Sequence, residues 1–187
     1  MLLGALQDFE WYNEPENVVF RDKSMFVTAA AGSDFWQSRH HGVSKDNGHF
    51  FYCRKDGNFT LVAKWSYTKK IPYAQCGVML RVDENNWIKA TVMYDAPDKP
   101  MLGTGVTQNG YSDWAAQPIP PDFDDIWFKV KRLNGDYLLY YSLDGEKFKS
   151  IRMTHLLNDM PEVKVGAYIC SPQSADFEAV LSQIEFI

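Results

Sequence analysis

Apolar and polar residues alternate with a period of two along most of this chain, and a period of two can only be buried as β-structure. Runs rich in aromatic and β-branched residues recur near 9–12, 18–21, 24–30, 48–54, 58–67, 74–82, 86–95, 100–108, 125–133, 136–142, 147–153, 163–170 and 177–187. Turn residues punctuate them. Asp56-Gly57, Asn85-Asn86, Asn134-Gly135 and Asp144-Gly145 stand where tight hairpins need tolerance of positive φ. No amphipathic helix of three turns is found, and the best helical stretch, Thr154 to Met160, is stopped by Pro161. The expected fold is therefore all-β, two packed antiparallel sheets in one domain over residues 1–187, with helix below about 10%.

The alternation also sorts faces. Cys76, Val78 and Leu80 form one apolar row, Ile88, Ala90 and Val92 a second, and Leu102 with Val106 a third. Ile126, Phe128 and Val130 continue the expected core. Consecutive strands joined by short turns are neighbours, so the opposite face of one sheet should carry Gln75, Arg81, Lys89 and Thr107. Glycines 77, 103 and 105 lie among them and Trp87 flanks them. A polar face with small residues leaves room for a ligand, although an ordinary solvated face shows the same pattern.

Charge and cysteine usage narrow the function classes. A net charge of −5 without any block of like charge disfavours a nucleic-acid backbone as partner. No apolar run reaches the length of a bilayer span, and the apolar start Met1–Leu6 is too short for a signal segment. Cys53, Cys76 and Cys170 fit neither a disulfide framework nor a zinc site. A cytoplasmic setting is expected, with Asn58-Phe59-Thr60 a chance sequon.

Two strings carry the strongest hint of recognition, Ser33-Asp34-Phe35-Trp36 and Ser112-Asp113-Trp114. Each sets a carboxylate and a hydroxyl beside a large ring, which suits a polar, ring-shaped ligand such as a sugar. The segment 109–125, crowded with Gly110, Pro118, Pro120 and Pro121, is expected to be a rigid loop that carries Trp114 as a site wall. His49, in Asn47-Gly48-His49-Phe50, is the histidine favoured for a ligand, since the glycine permits close approach. A metal held by His40, His41, His49 and Cys53 is disfavoured because their spacing matches no ligand pattern. Arg132 and Arg152 are open to an acidic ligand, but rim salt bridges are the commoner use of such residues.

Several motifs in fixed order carry a family resemblance. They are Trp11-Tyr12-Asn13-Glu14-Pro15, Ser33–Trp36, Asp46–Phe50, Gln75–Arg81, Trp87–Ala90, Val106-Thr107, Ser112–Trp114, Tyr141–Gly145 and Cys170-Ser171-Pro172. Over nearly the whole chain they resemble the domain of unknown function 1349 family, of the regulation-of-enolase type. The resemblance implies a concanavalin A-like jelly-roll sandwich and no established reaction. Two positions depart from the family pattern: Ala74 precedes Gln75 where an Asp is usual, and Met93 stands where a Glu is common.

The expected function is non-catalytic binding of a carbohydrate or other small polar ligand on the concave sheet face. The expected site comprises Asp34, Trp36, His49, Gln75, Arg81, Lys89, Thr107, Asp113 and Trp114, with no cofactor and no metal. No run of carboxylates at glycosidase spacing is present, so a sugar hydrolase or lyase would need a cryptic acid/base pair. A regulatory protein that binds a protein partner is the other alternative.

Overall fold

The computed structural model describes residues 6–38, 42–67, 70–96, 99–157, 160–173 and 176–187, and among them every regular element is a strand. In chain order they are β1 (Glu10–Tyr12), β2 (Asn17–Arg21), β3 (Ser24–Ala29), β4 (Phe35–Ser38), β5 (Val43–Asp46) and β6 (His49–Asp56). Then come β7 (Phe59–Ser66), β8 (Gln75–Asp83), β9 (Asn86–Ala96), β10 (Lys99–Gln108) and β11 (Tyr111–Pro118). The last are β12 (Asp125–Leu133), β13 (Asp136–Ser142), β14 (Lys149–His155), β15 (Glu162–Cys170) and β16 (Phe177–Phe186). Thr154 and His155 thus end a strand and do not begin a helix.

Two antiparallel sheets form the sandwich. One has nine strands in the order β1-β6-β15-β8-β9-β10-β11-β4-β5, the other seven in the order β14-β13-β12-β7-β16-β3-β2. Val78, Leu80, Ile88, Ala90, Val92, Leu102, Val106, Ile126, Phe128 and Val130 all lie in the core between them, as their alternation requires. Trp65 spans the layers, its indole N–H donating to the Gly77 carbonyl at 2.9 Å.

The nine-stranded sheet cannot be flat. Strand β5 is seven places from β6 in the sheet, about 34 Å at the usual strand spacing. Yet only Asn47 and Gly48 join them, a link that reaches no further than ~11 Å. The sheet therefore rolls until its two rims meet. Tyr12 on β1 donates to Oδ2 of Asp46 on β5 at 2.6 Å, and Asn13 Nδ2 donates to the carbonyls of Asp46 and Gly48 at 2.9 and 3.1 Å. Inside the roll sits a second core of Phe35, Phe50, Tyr52, Met79, Trp87, Tyr168 and Cys170, with Tyr12 packed against it. The face expected to be polar and open is thus filled along much of its length by aromatic rings.

Three strands were not expected from the alternation: β4, β5 and β11. They are adjacent in the sheet and form the part that curls over the roll. Segment 109–125 is in its first half a strand, which pairs with β10 from Gln108↔Tyr111 to Met101↔Pro118. Asn109 and Gly110 make its turn with φ of 52° and 79°, the paired positive values of a tight hairpin.

Candidate functional site

At the open end of the roll lies a cleft of about 270 Å³ bordered by Asp34, Trp36, Tyr73, Gln75, Lys89, Met93 and Trp114. Gln75, Lys89 and Met93 project from β8 and β9 on the side away from the main core, because Cys76, Ala90 and Val92 between them face inward. Trp114 stands opposite Gly105 on β11. Its indole lies across β10 because residues 103 and 105 carry no side chain. A Cβ at Gly103 would run into the six-membered ring of Trp114, and one at Gly105 would stand 3.4 Å from it. Two glycines thus make the seat for one wall of the cleft.

Trp36 and Asp34 reach the cleft on β4 and the turn before it. The Asp34 carboxylate accepts from the Phe35 N–H at 2.7 Å, the Asp34 N–H donates to Asn47 Oδ1 at 3.0 Å, and the Asp34 carbonyl accepts from Asn47 and Gly48 N–H at 3.1 and 3.0 Å. This clamp ties the two ends of the β4–β5 hairpin together. Gly48 is needed because a Cβ there would run into the Phe35 ring. The close approach that the glycine permits is thus to Phe35.

Lys89 is the central polar group. Its side chain is 2% exposed, and Nζ donates to the Phe35 carbonyl at 2.9 Å while lying 3.7 Å from Asp34 Oδ1. The rings of Trp87, Trp114 and Tyr168 surround it at 5.3, 5.5 and 5.8 Å, an arrangement that favours an ammonium ion. Gln75, also buried, accepts from the Tyr168 hydroxyl at 3.0 Å. Its NH₂ group is left for the cleft it borders.

Of the nine residues expected in the site, Asp34, Trp36, Gln75, Lys89 and Trp114 border this one cavity. The other four are used elsewhere. Arg81 shares the expected face but lies deeper in the roll, with Nη1 and Nη2 on the Asp46 carboxylate at 2.7 and 2.8 Å. Thr107 is roofed by β4. Its hydroxyl meets that of Ser112 at 2.5 Å, and Ser112 in turn accepts from the Gln37 N–H at 2.9 Å. Asp113 neighbours Trp114 along a strand and so faces the other way, where it pairs with both terminal nitrogens of Arg152 at 3.0 and 2.9 Å. His49 faces away from the roll and its ring is pinned at both nitrogens. Nε2 accepts from the Ala30 N–H at 3.1 Å and Nδ1 meets the Asn13 carbonyl at 2.6 Å. Burial holds its pKa below the usual histidine value against the opposing pull of the Asn13 bond, so it is a neutral structural strut.

Tyr73 and Met93 complete the cleft and were not among the expected residues. Tyr73 carries a φ of 63°, rare for a large side chain. Arg132, also open to an acidic ligand from sequence, donates to the carbonyls of Met160 and Pro161 at 2.6 and 2.8 Å. His40 and His41 lie outside the described residues, and among the described ones no cluster of His, Cys, Asp or Glu can hold a metal ion.

A larger cavity, about 740 Å³, opens on the outer face of the seven-stranded sheet beside Phe26, Tyr67 and Asp122–Asp125. The described residues that line it include none of the expected site residues and no buried charged side chain. The smaller cleft, with a buried lysine and a buried amide converging between two indoles, has the stronger features of a specific binding site.

A rolled jelly-roll sandwich with an aromatic-walled cleft on its concave sheet is the class these features define. Residues 11–187 match the family described as a protein of unknown function (DUF1349), and the chain belongs to that family. It is 24% identical over 173 residues to Regulation of enolase protein 1 of Saccharomyces cerevisiae, covering 92% of this chain and 86% of that one. Its fold is similar to the crystal structure of a functionally unknown protein from the same yeast, with a TM-score of 0.89 at 24% identity over 98% of this chain and 97% of that chain. The carbohydrate-binding module CBM66 from Bacillus subtilis aligns with a TM-score of 0.64 at 13% identity, over 97% and 96% of the two chains. The GH43 protein BlXynB of Bacillus licheniformis aligns with a TM-score of 0.77 at 13% identity. That match covers 96% of this chain but only 36% of the enzyme.

Proposed function

We propose that this protein binds a carbohydrate ring in the cleft between Trp36 and Trp114 and does not transform it. One observation carries the proposal: two indoles border a cavity whose base is formed by the buried Lys89 and Gln75, with Asp34 beside them. Indoles cover the C–H faces of a sugar, while the ammonium, amide and carboxylate serve its hydroxyls. Of the described residues that border the cleft, Asp34 alone is a carboxylate, whereas the usual glycosidase mechanism takes two. The likeness to a carbohydrate-binding module supports the fold of such a binder and no particular ligand.

Glycan-array screening of the full chain, followed by calorimetric titration, tests the proposal. Binding in the roughly millimolar-to-micromolar range is expected, with at least a tenfold loss in Trp114→Ala. Silence across neutral and acidic glycans overturns it. The name of the yeast relative favours a regulatory role, in which the same cleft would receive a side chain of a protein partner. Capture of one protein, abolished by Trp114→Ala and without any glycan response, is the result that reading requires. We also propose a reducing, cytoplasmic setting, supported by three free and buried thiols, Cys53, Cys76 and Cys170.

A further inference from the structure

A lysine at the base of a cleft invites the expectation of an anionic ligand, but the charges around Lys89 argue the opposite. Among the described residues that border the cleft, Asp34 and Lys89 are the charged ones, one of each sign, 3.7 Å apart. The next cation inward, Arg81, is closed off by both oxygens of Asp46 at 2.7 and 2.8 Å. The base of the cleft is therefore balanced pair by pair before any ligand arrives.

Resting on the carbohydrate reading, we infer that the cleft selects a neutral sugar, held through a vicinal pair of hydroxyls that bridges Asp34 and Lys89, and rejects uronic acids and sugar phosphates. Lys89 has three N–H donors, and one is committed to the Phe35 carbonyl at 2.9 Å. A sugar hydroxyl both donates and accepts. One hydroxyl donates to the Asp34 carboxylate while its neighbour accepts from Lys89, and neither disturbs the existing pair. The Gln75 NH₂, on an amide whose oxygen is already held by Tyr168 at 3.0 Å, supplies a further donor.

An acidic ligand meets the reverse situation. It brings a second negative charge beside Asp34, where the Lys89 ammonium is already engaged, and leaves its own hydration behind. The indole faces add to the bias. Trp114, which borders the cleft, has its ring 5.5 Å from the Lys89 ammonium, and the negative face that attracts a cation repels an anion.

The test uses the full-length chain and its Asp34→Asn variant, in which the amide oxygen can still accept from the Phe35 N–H. Calorimetry and tryptophan fluorescence are read against methyl glycosides of the common neutral hexoses and pentoses, the matching methyl uronides and the 6-phosphates. The parent protein should bind at least one neutral glycoside ten or more times tighter than its uronide or phosphate. Removing either hydroxyl of the bridging pair should weaken that binding about tenfold. Asp34→Asn frees the charge of Lys89, so the neutral-to-acidic ratio should fall at least fivefold. A parent protein that binds the uronide or phosphate as tightly as the neutral sugar overturns the inference and leaves the carbohydrate reading standing. So does a ratio unchanged in Asp34→Asn. No response to any sugar of either kind overturns both.

Discussion

Closure of the nine-stranded roll depends on Arg81, and replacing it by methionine should loosen the wall that carries Trp36. The Arg81 side chain is 3% exposed and that of Asp46 is 22% exposed, and two short bonds join them. The guanidinium also lies over the rings of Tyr12 and Phe35 at 4.5 and 5.7 Å, while its Nε has no hydrogen-bond partner among the described residues. Methionine keeps most of the apolar stem and removes the charge, leaving the Tyr12 hydroxyl as the hydrogen-bond partner of the Asp46 carboxylate among the described residues. Losing one partner of a buried pair costs about 3–5 kcal/mol. Partial contact of Asp46 with water and the orphaned Nε of the parent both place the expected loss near the lower end, about 3 kcal/mol. Urea unfolding followed by tryptophan fluorescence should show the midpoint falling by roughly 1–2 M at unchanged slope. Adding Asp46→Asn removes the stranded charge and should restore about 1 kcal/mol or more. A single variant within about 0.5 kcal/mol of the parent, or a double variant no better than the single, refutes the account of closure.

Other outcomes follow from the packing. Leu80→Ala, at a fully buried position of the main core, should cost about 2–5 kcal/mol in the same assay. Gly103→Ala sets a methyl where the Trp114 ring lies; the half-buried indole should swing outward, with a stability loss of about 1 kcal/mol. A red-shifted tryptophan emission and at least tenfold weaker glycan binding should accompany it, and unchanged emission would contradict the seating of that ring. Burial holds the pKa of His49 below its unfolded value, so its contribution is complete above about pH 6.5 and is lost as pH falls from there through the folded pKa. Thermal unfolding at pH 7.5 and 5.5 should show a smaller pH dependence for His49→Gln than for the parent.

The central strands were legible because they face two different environments. In β8, β9 and β10 one row enters the main core, and periodicity alone separates Leu80, Ile88 and Val106 from Gln75, Lys89 and Thr107. Periodicity fails where both faces are apolar. Phe50, Tyr52 and Tyr168 share strands with Phe51, Cys53 and Ile169, and nothing local reveals a second core on their far side. Strands β4 and β5 have four residues each, too short for alternation to stand out from a loop. In β11, Ala115-Ala116-Gln117-Pro118 dilutes the strand pattern, although Asn109-Gly110 does carry the hairpin signature. The misplacement of Asp113 follows directly from this: beside Trp114 in a loop it could share a site, but in a strand it cannot. The pairings Arg81–Asp46 and Arg152–Asp113 depend on strand order, which no local pattern encodes.

The place of β15 between β6 and β8 bears on how the chain is made. Synthesis proceeds from the N-terminus, so β1 through β14 emerge while the sheet still lacks the strand that joins its two parts. Until β15 arrives, the β1–β6 pair has an uncovered edge at β6, and the β8–β11 meander has one at β8. Tyr168, which holds Gln75, and Cys170, which lies beside Asp34 with Sγ 3.8 Å from Oδ1, both come from that late strand. The cleft is thus among the last parts of the molecule to be assembled. A nascent chain stalled before residue 162 would lack β16 as well, exposing unpaired strand edges at β6 and β8 in one sheet and at β7 and β3 in the other, the kind of surface that invites pairing with another chain.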